Sequence, residues 1–296
     1  MRVGLAIFDL ARAAGAASIF VVGIGKNVGK TVTTRAVYEA AHASGLRVGI
    51  TSVGRDGEAV DAGDAQPKPR LFLRPGTTIA TAREALPRSP AAEILDLSSL
   101  QTAAGPLVYA RVRHGAFYEL VGPPTASGMR EAVAALRSRA DVTIVDGAID
   151  RVAALAGGES AIVVAGGASA AGTMQEAVDA MRALVERLTV ARYDPRDDAV
   201  RIDGALTPAR AAGLIGAHES RQIVVRDPTQ IALAGKAASH AFARLRIRCE
   251  RPLHVIAATV ASIGRERTFE PRAFARAVAD ATGLPTFDVY AGERAA

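Results

Sequence analysis

Gly29-Lys30-Thr31 is the part of this chain whose residue types and order could most directly do chemistry. Glycine lets backbone N–H groups close on an anion, lysine reaches terminal phosphates, and a Thr hydroxyl can hold Mg²⁺. The tripeptide alone is a weak signal, because it arises often by chance. Its setting is stronger. The apolar run SIFVVGIG (18–25) reads as a strand before it, and TVTTRAVYEAAHASG reads as a helix after it, with Gly45 as C-cap. The phosphate-binding set would then be Gly23, Gly25, Lys26, Asn27, Val28, Gly29, Lys30, Thr31 and Val32. The competing reading is an ordinary strand-to-helix turn. The usual spacing places another glycine five residues before Gly29, and here that position is Ile24.

Other segments could complete such a site. VTIVDGA (142–148) is an apolar strand ending in Asp146, which can hold Mg²⁺ directly or through water; otherwise it is a turn residue. TSVGRDGE (51–58) follows another expected strand. There Asp56 can bind Mg²⁺ or orient a water and Arg55 can neutralise phosphate charge, or the segment is a tight Asp-Gly turn with both side chains solvated. The catalytic set is therefore Lys30, Asp56 and Arg55, and the metal set Thr31, Asp146 and Asp56. ELVGPPTASG (119–128) leads into a helix start that can receive an anion or be simply capped, with Ser127 as the expected cap. Thr259 and Asp288 are candidates for contacting a base, against core or turn roles. The five histidines show no metal-ligand spacing.

Strand-like runs alternate with helical patterns, which predicts an α/β fold with a doubly wound, mostly parallel sheet. GTTIATAREAL is expected to open a short helix, and 106–122 to hold two strands or a long bent pair. The pattern shifts to short alternating pieces between ARYDPRDD (191–198) and about residue 250. The expected organisation is a nucleotide-binding core over 1–190, an inserted subdomain or sheet extension over 191–250, and a return to the core over 251–296. Near the N-terminus, Asp9 and Arg12 interrupt an apolar stretch, and Leu5, Phe8, Leu10 and Ala11 fit an amphipathic helix. A soluble, cytoplasmic protein without membrane association is expected.

The chain of 296 residues carries a net charge of +6, and only four of its 36 basic residues are lysines. The arginines are scattered and aromatic residues make up only 4%, which argues against nucleic-acid binding. Cys249 is the single cysteine, so no internal disulfide forms and cysteine-based metal or redox motifs are excluded.

GIGKNVGKT resembles the loop of dethiobiotin synthetase and its relatives, G-T-D-T-x-V-G-K-T. Gly23, Val28, Gly29, Lys30 and Thr31 match position for position, with the first glycine one residue earlier than in the ordinary motif. The resemblance implies a P-loop NTPase fold, a nucleotide cofactor (ATP or GTP) and Mg²⁺, with Asp146 in the Walker B position. Dimers are common in that group, which makes a homodimer the expected assembly. Lys26 and Lys30 are four apart, whereas the paired lysines of ParA/MinD-type ATPases are five apart, so Lys26 reads as a loop lysine near phosphates. Dethiobiotin synthetase also carries a substrate lysine after its second strand, whereas this chain has no lysine between Lys30 and Lys68. Taken together, GKNVGKT, TSVGRDGE, DGAIDR and the late PTFDV also resemble, over most of the chain, the ATPase-like subunits of lysine aminomutase reactivating factors, although ATVASIGRER lacks an expected Asn-Pro. That resemblance implies a nucleotide-driven switch or reactivating chaperone for a metabolic enzyme such as a cobalamin-dependent aminomutase. The alternatives are an ATP-dependent small-molecule ligase or kinase of the dethiobiotin type and a non-catalytic nucleotide-binding regulator.

Overall fold

The computed structural model describes residues 2–53, 70–87, 91–147 and 160–290. The main sheet has nine strands. Six run parallel: β1 (Ser18–Gly23), β2 (Val48–Ser52), β8 (Val142–Asp146), β9 (Ser160–Gly167), β13 (His254–Ala261) and β14 (Thr286–Asp288). β4 (Thr78–Ala82) continues the parallel set beside β2, and β6 (Gly105–Val112) and β5 (Ala92–Thr102) add an antiparallel flank. The order is β14-β13-β9-β1-β8-β2-β4-β6-β5. A small antiparallel pair, β3 (Leu71–Leu73) and β7 (Ala116–Tyr118), lies apart from it.

Both faces of the sheet are covered, which is why its strands read as continuous apolar runs rather than alternating ones. Ile19, Ile50, Ile144 and Val163 share one core with α1 (Arg2–Ala13) and α2 (Lys30–Ala43). Phe20, Val22, Val145 and Val164 share the opposite core with α3 (Ala126–Arg137), α4 (Met174–Leu188) and α7 (Pro271–Thr282). Small residues let these layers close up. A Cβ on Gly4 of α1 would lie 1.9 Å from the Ala36 carbonyl oxygen of α2. α1 buries Ile7, Phe8 and Ala11, while Leu5 stands 46% exposed instead of joining the apolar face.

Several local expectations change. The stretch 76–86 forms β4 and a single 3₁₀ turn, not an opening helix. Thr78, Ile79 and Thr81 lose χ1 freedom in a helix and pack well in a strand whose five residues are all buried. The cap of α3 is Thr125, whose hydroxyl accepts from Gly128 N at 3.1 Å, two residues before the expected Ser127. β5 has no counterpart in the sequence reading. Its register shifts twice, and its edge position leaves most of its side chains half-buried or exposed.

Between α4 and β13 the chain builds a separate three-stranded parallel sheet of β10 (Ala199–Arg201), β11 (Gln222–Val225) and β12 (Arg246–Cys249). The connections are α5 (Pro208–Leu214) and α6 (Gly235–Arg244), and a third apolar cluster lies between them and the sheet. This is a second sheet and not an extension of the first. Cys249 is fully buried in that cluster and its Sγ donates to Val190 O at 3.1 Å. Burial pushes its thiol up to about 11. Among the described residues, no helix is long and apolar enough to cross a membrane.

Candidate nucleotide-phosphate site

β1 lies between β9 and β8, so the loop leaving its carboxyl end is walled by the ends of two parallel neighbours. Such a crevice, where successive connections leave in opposite directions, is where open α/β sheets bind ligands. Ile24 N donates to Ala165 O at 3.0 Å, so the first loop residue still follows β9. The chain then turns sharply, with Asn27 at φ 56° and Gly29 at φ 85°. Left-handed residues in a short loop let successive N–H groups converge. Val28 between them is 1% exposed and acts as the anchor of the turn. A Cβ on Gly23 would lie 2.7 Å from Val28 Cγ2, and one on Gly167 would lie 3.0 Å from Val28 Cα. Gly23 is therefore required by packing. Lys26 and Asn27 project outward and are exposed.

Gly29 also caps α2 and, as a glycine, has no side chain with which to cap the first N–H groups of the helix. The first turn of α2 carries no acidic residue of its own, and its positive dipole end faces the loop with the Asp146 carboxylate beside it. Lys30 curls back over the loop and its ammonium donates to Gly25 O. Val32 follows in the first turn of α2.

Asp146 is the last residue of β8, in register with Val21 on one side and Ser52 on the other. Its position is fixed through the backbone: Val53 N donates to Asp146 O at 2.8 Å and Gly147 N to Val21 O at 2.9 Å. The Thr31 hydroxyl donates to Asp146 Oδ2 at 3.3 Å. A hydroxyl and a carboxylate that meet this way form a hard-oxygen pair suited to Mg²⁺, which keeps several waters and takes phosphate oxygens for the rest of its shell. Among the described residues, no group of three His, Cys, Asp or Glu side chains is placed to hold a metal ion.

The structure thus brings Gly23, Gly25, Lys26, Asn27, Val28, Gly29, Lys30, Thr31, Val32 and Asp146 together at one edge. Arg55 and Asp56 lie outside the described residues. Thr259 is 1% exposed and its hydroxyl shares a 2.9 Å hydrogen bond with Thr33, tying β13 to α2. Asp288 is 6% exposed and accepts from Tyr290 N at 2.7 Å. Sequence reasoning missed the wall that Gly167 and the loop after β9 provide. Its only signal was the run of small residues GGASAAG after an apolar strand. No family model, curated protein or solved structure matches the chain.

Proposed function

We propose that this chain is a Mg²⁺-dependent nucleotide-binding protein of the P-loop type that hydrolyses ATP or GTP and acts as a switch on a partner protein. The observation that carries the reading is the meeting of Thr31 and Asp146 at a glycine-capped helix start, beside a loop with two left-handed residues. Loop N–H groups and the Lys30 ammonium bind the β- and γ-phosphates, with Lys30 exchanging the Gly25 carbonyl for phosphate oxygen. Thr31 and Asp146 hold Mg²⁺, which when bound neutralises charge on the phosphate oxygens. Water attacks the γ-phosphorus, the bond from that phosphorus to the β–γ bridging oxygen breaks, and nucleoside diphosphate leaves with dihydrogen phosphate, which keeps both hydrogens of the water. In this reading Asp56 orients the water or joins the metal shell, and Arg55 offsets charge on the transferred group. Sites of this kind act through positioning and charge, so a partner or a second copy can complete them.

The missing lysine between Lys30 and Lys68 favours hydrolysis over transfer to a small-molecule acceptor of the dethiobiotin type. The partner class we assign is a metabolic enzyme, with a cobalamin-dependent aminomutase as the specific candidate. The test is phosphate release by the purified chain with Mg²⁺ and ATP or GTP, with Lys30→Ala as control. Release that depends on Lys30 and Mg²⁺ is expected. If the Lys30→Ala protein binds and turns over nucleotide like the parent, the phosphate-loop reading is wrong.

A further inference from the structure

The carboxyl end of the sheet, where the loop after β1 lies, carries a second structure on the β9 side. After β13 the chain doubles back as a tight hairpin. Ile263 and Thr268 form a bridge, Gly264 N donates to Arg267 O at 2.8 Å, and Phe269 N donates to Ser262 O at 2.9 Å. Arg265, Glu266 and Arg267 are exposed around its tip. The hairpin rests on the loop after β9, where a Cβ on Gly264 would lie 2.9 Å from Ser169 Oγ and 3.0 Å from Ser169 N. That loop in turn touches the phosphate loop, since a Cβ on Gly25 would lie 3.5 Å from Ala170 Cβ. The Arg267 guanidinium is held over the same loop by a hydrogen bond from Nη1 to Ala171 O at 3.2 Å. A guanidinium has five N–H donors, so one bond to a carbonyl leaves most of the fork for a ligand.

The direction in which a nucleotide would lie follows from the metal pair. Thr31 and Asp146 are on the β8 side of the loop. Thr31 and Asp146 would hold the Mg²⁺ of a bound nucleotide, and that ion would offset charge on the terminal phosphates. With the terminal phosphates toward β8, the nucleoside of a bound nucleotide would lie on the β9 side, where the loop at 168–172 and the hairpin stand. We propose that Arg267 binds the nucleoside half of the nucleotide and selects guanine over adenine. This rests on the phosphate-loop reading. The guanidinium offers paired donors and no acceptor. Guanine presents two acceptors, O6 and N7, on one edge, whereas adenine puts an amino donor beside N7. The fork matches the first edge and opposes the second.

The experiment measures binding of GTP, ATP and inorganic tripolyphosphate, each with Mg²⁺, to the parent, Arg267→Ala, Arg267→Lys and Lys30→Ala proteins. The parent is expected to bind GTP roughly tenfold more tightly than ATP, as one bidentate base contact allows. Arg267→Ala removes that preference and leaves tripolyphosphate binding unchanged. Arg267→Lys does not restore it, because an ammonium keeps the charge and loses the fork. Arg267 is exposed, so these variants should melt like the parent. A parent that does not prefer GTP, an Arg267→Ala protein that keeps the preference, or equal loss of GTP and tripolyphosphate binding overturns the assignment. In those cases Lys30-dependent binding of tripolyphosphate still leaves the phosphate loop standing. A parent that binds none of the three overturns both readings.

Discussion

Two alanine substitutions in the same loop should have opposite effects on stability. Gly29 has φ 85°, and a Cβ there would lie 3.0 Å from Ala261 Cβ and 3.4 Å from Val289 Cγ2. A left-handed alanine costs about 1–2 kcal/mol, and the tight contact adds about 1 kcal/mol because β13 is fixed on both sides. Gly29→Ala should therefore destabilise by about 2–3 kcal/mol, which in a chain of this size lowers Tm by roughly 4–10 °C. Gly25 is outside the left-handed region, and its Cβ would make only ordinary contacts, at 3.5 Å with Ala170 and 3.9 Å with Val28. Alanine there mainly restricts the unfolded chain and stabilises by about 0.4–1 kcal/mol. Thermal unfolding without nucleotide measures both, and titration with Mg²⁺-nucleotide then reads the loop itself. Gly29→Ala should lose at least roughly tenfold in affinity, because a strained residue there displaces the first N–H groups of α2, to which the proposed function assigns the phosphates. Gly25→Ala should stay within a few-fold. Equal Tm losses in the two variants, or a Gly29→Ala protein that melts like the parent, would refute this account of the turn.

Three other perturbations address different parts of the molecule. Thr31→Val keeps the shape and removes the hydroxyl that meets Asp146, so a Mg²⁺ titration of nucleotide turnover should need at least about tenfold more metal, while Tm changes little. Cys249 holds its proton up to about 11 against 9.0 for a free thiol, so its contribution is complete below pH 9 and disappears as pH rises toward 11. The difference in unfolding free energy between the parent and Cys249→Ala should therefore narrow by about 2–3 kcal/mol over that window in denaturant titrations, and a constant difference would contradict it. Gly4→Ala would drive a methyl into the Ala36 carbonyl, and differential scanning calorimetry should show about 1–3 kcal/mol of destabilisation from the displacement of α1.

What could be read from the sequence follows from how local each determinant is. β1, β8, β9 and β13 are buried on both faces and read as unbroken apolar runs, and α4 declares itself through the Thr173–Glu176 capping box and an apolar stripe. The sharp turn from β1 into α2 was legible because consecutive residues, Gly23 to Thr31, set it. The antiparallel flank was harder. β5 alternates poorly because an edge strand has few neighbours to satisfy, and β4 owes its conformation to pairing with β2 and β6, which no local pattern records. α5 and α6 are short, and their stability comes from packing on β10, β11 and β12. The wall around the loop was least visible, since Gly167, Ala261 and Ala170 matter only through which backbone they approach.

The small sheet of β10, β11 and β12 also bears on how the large one assembles. The chain enters and leaves it side by side: Arg192 bridges to Cys249, Cys249 N donates to Ala191 O at 3.0 Å, and Tyr193 N donates to Cys249 O at 2.9 Å. β9 and β13 are neighbours in the main sheet but far apart in sequence, and closing so long a loop is an entropic burden on folding. Once the small sheet has formed, its clasped ends shorten the effective contour between α4 and β13 to a few residues. The insertion then acts on the main sheet as a tight connection does, so a short turn joining Val190 to Leu253 would preserve the topology that presents the loop after β1.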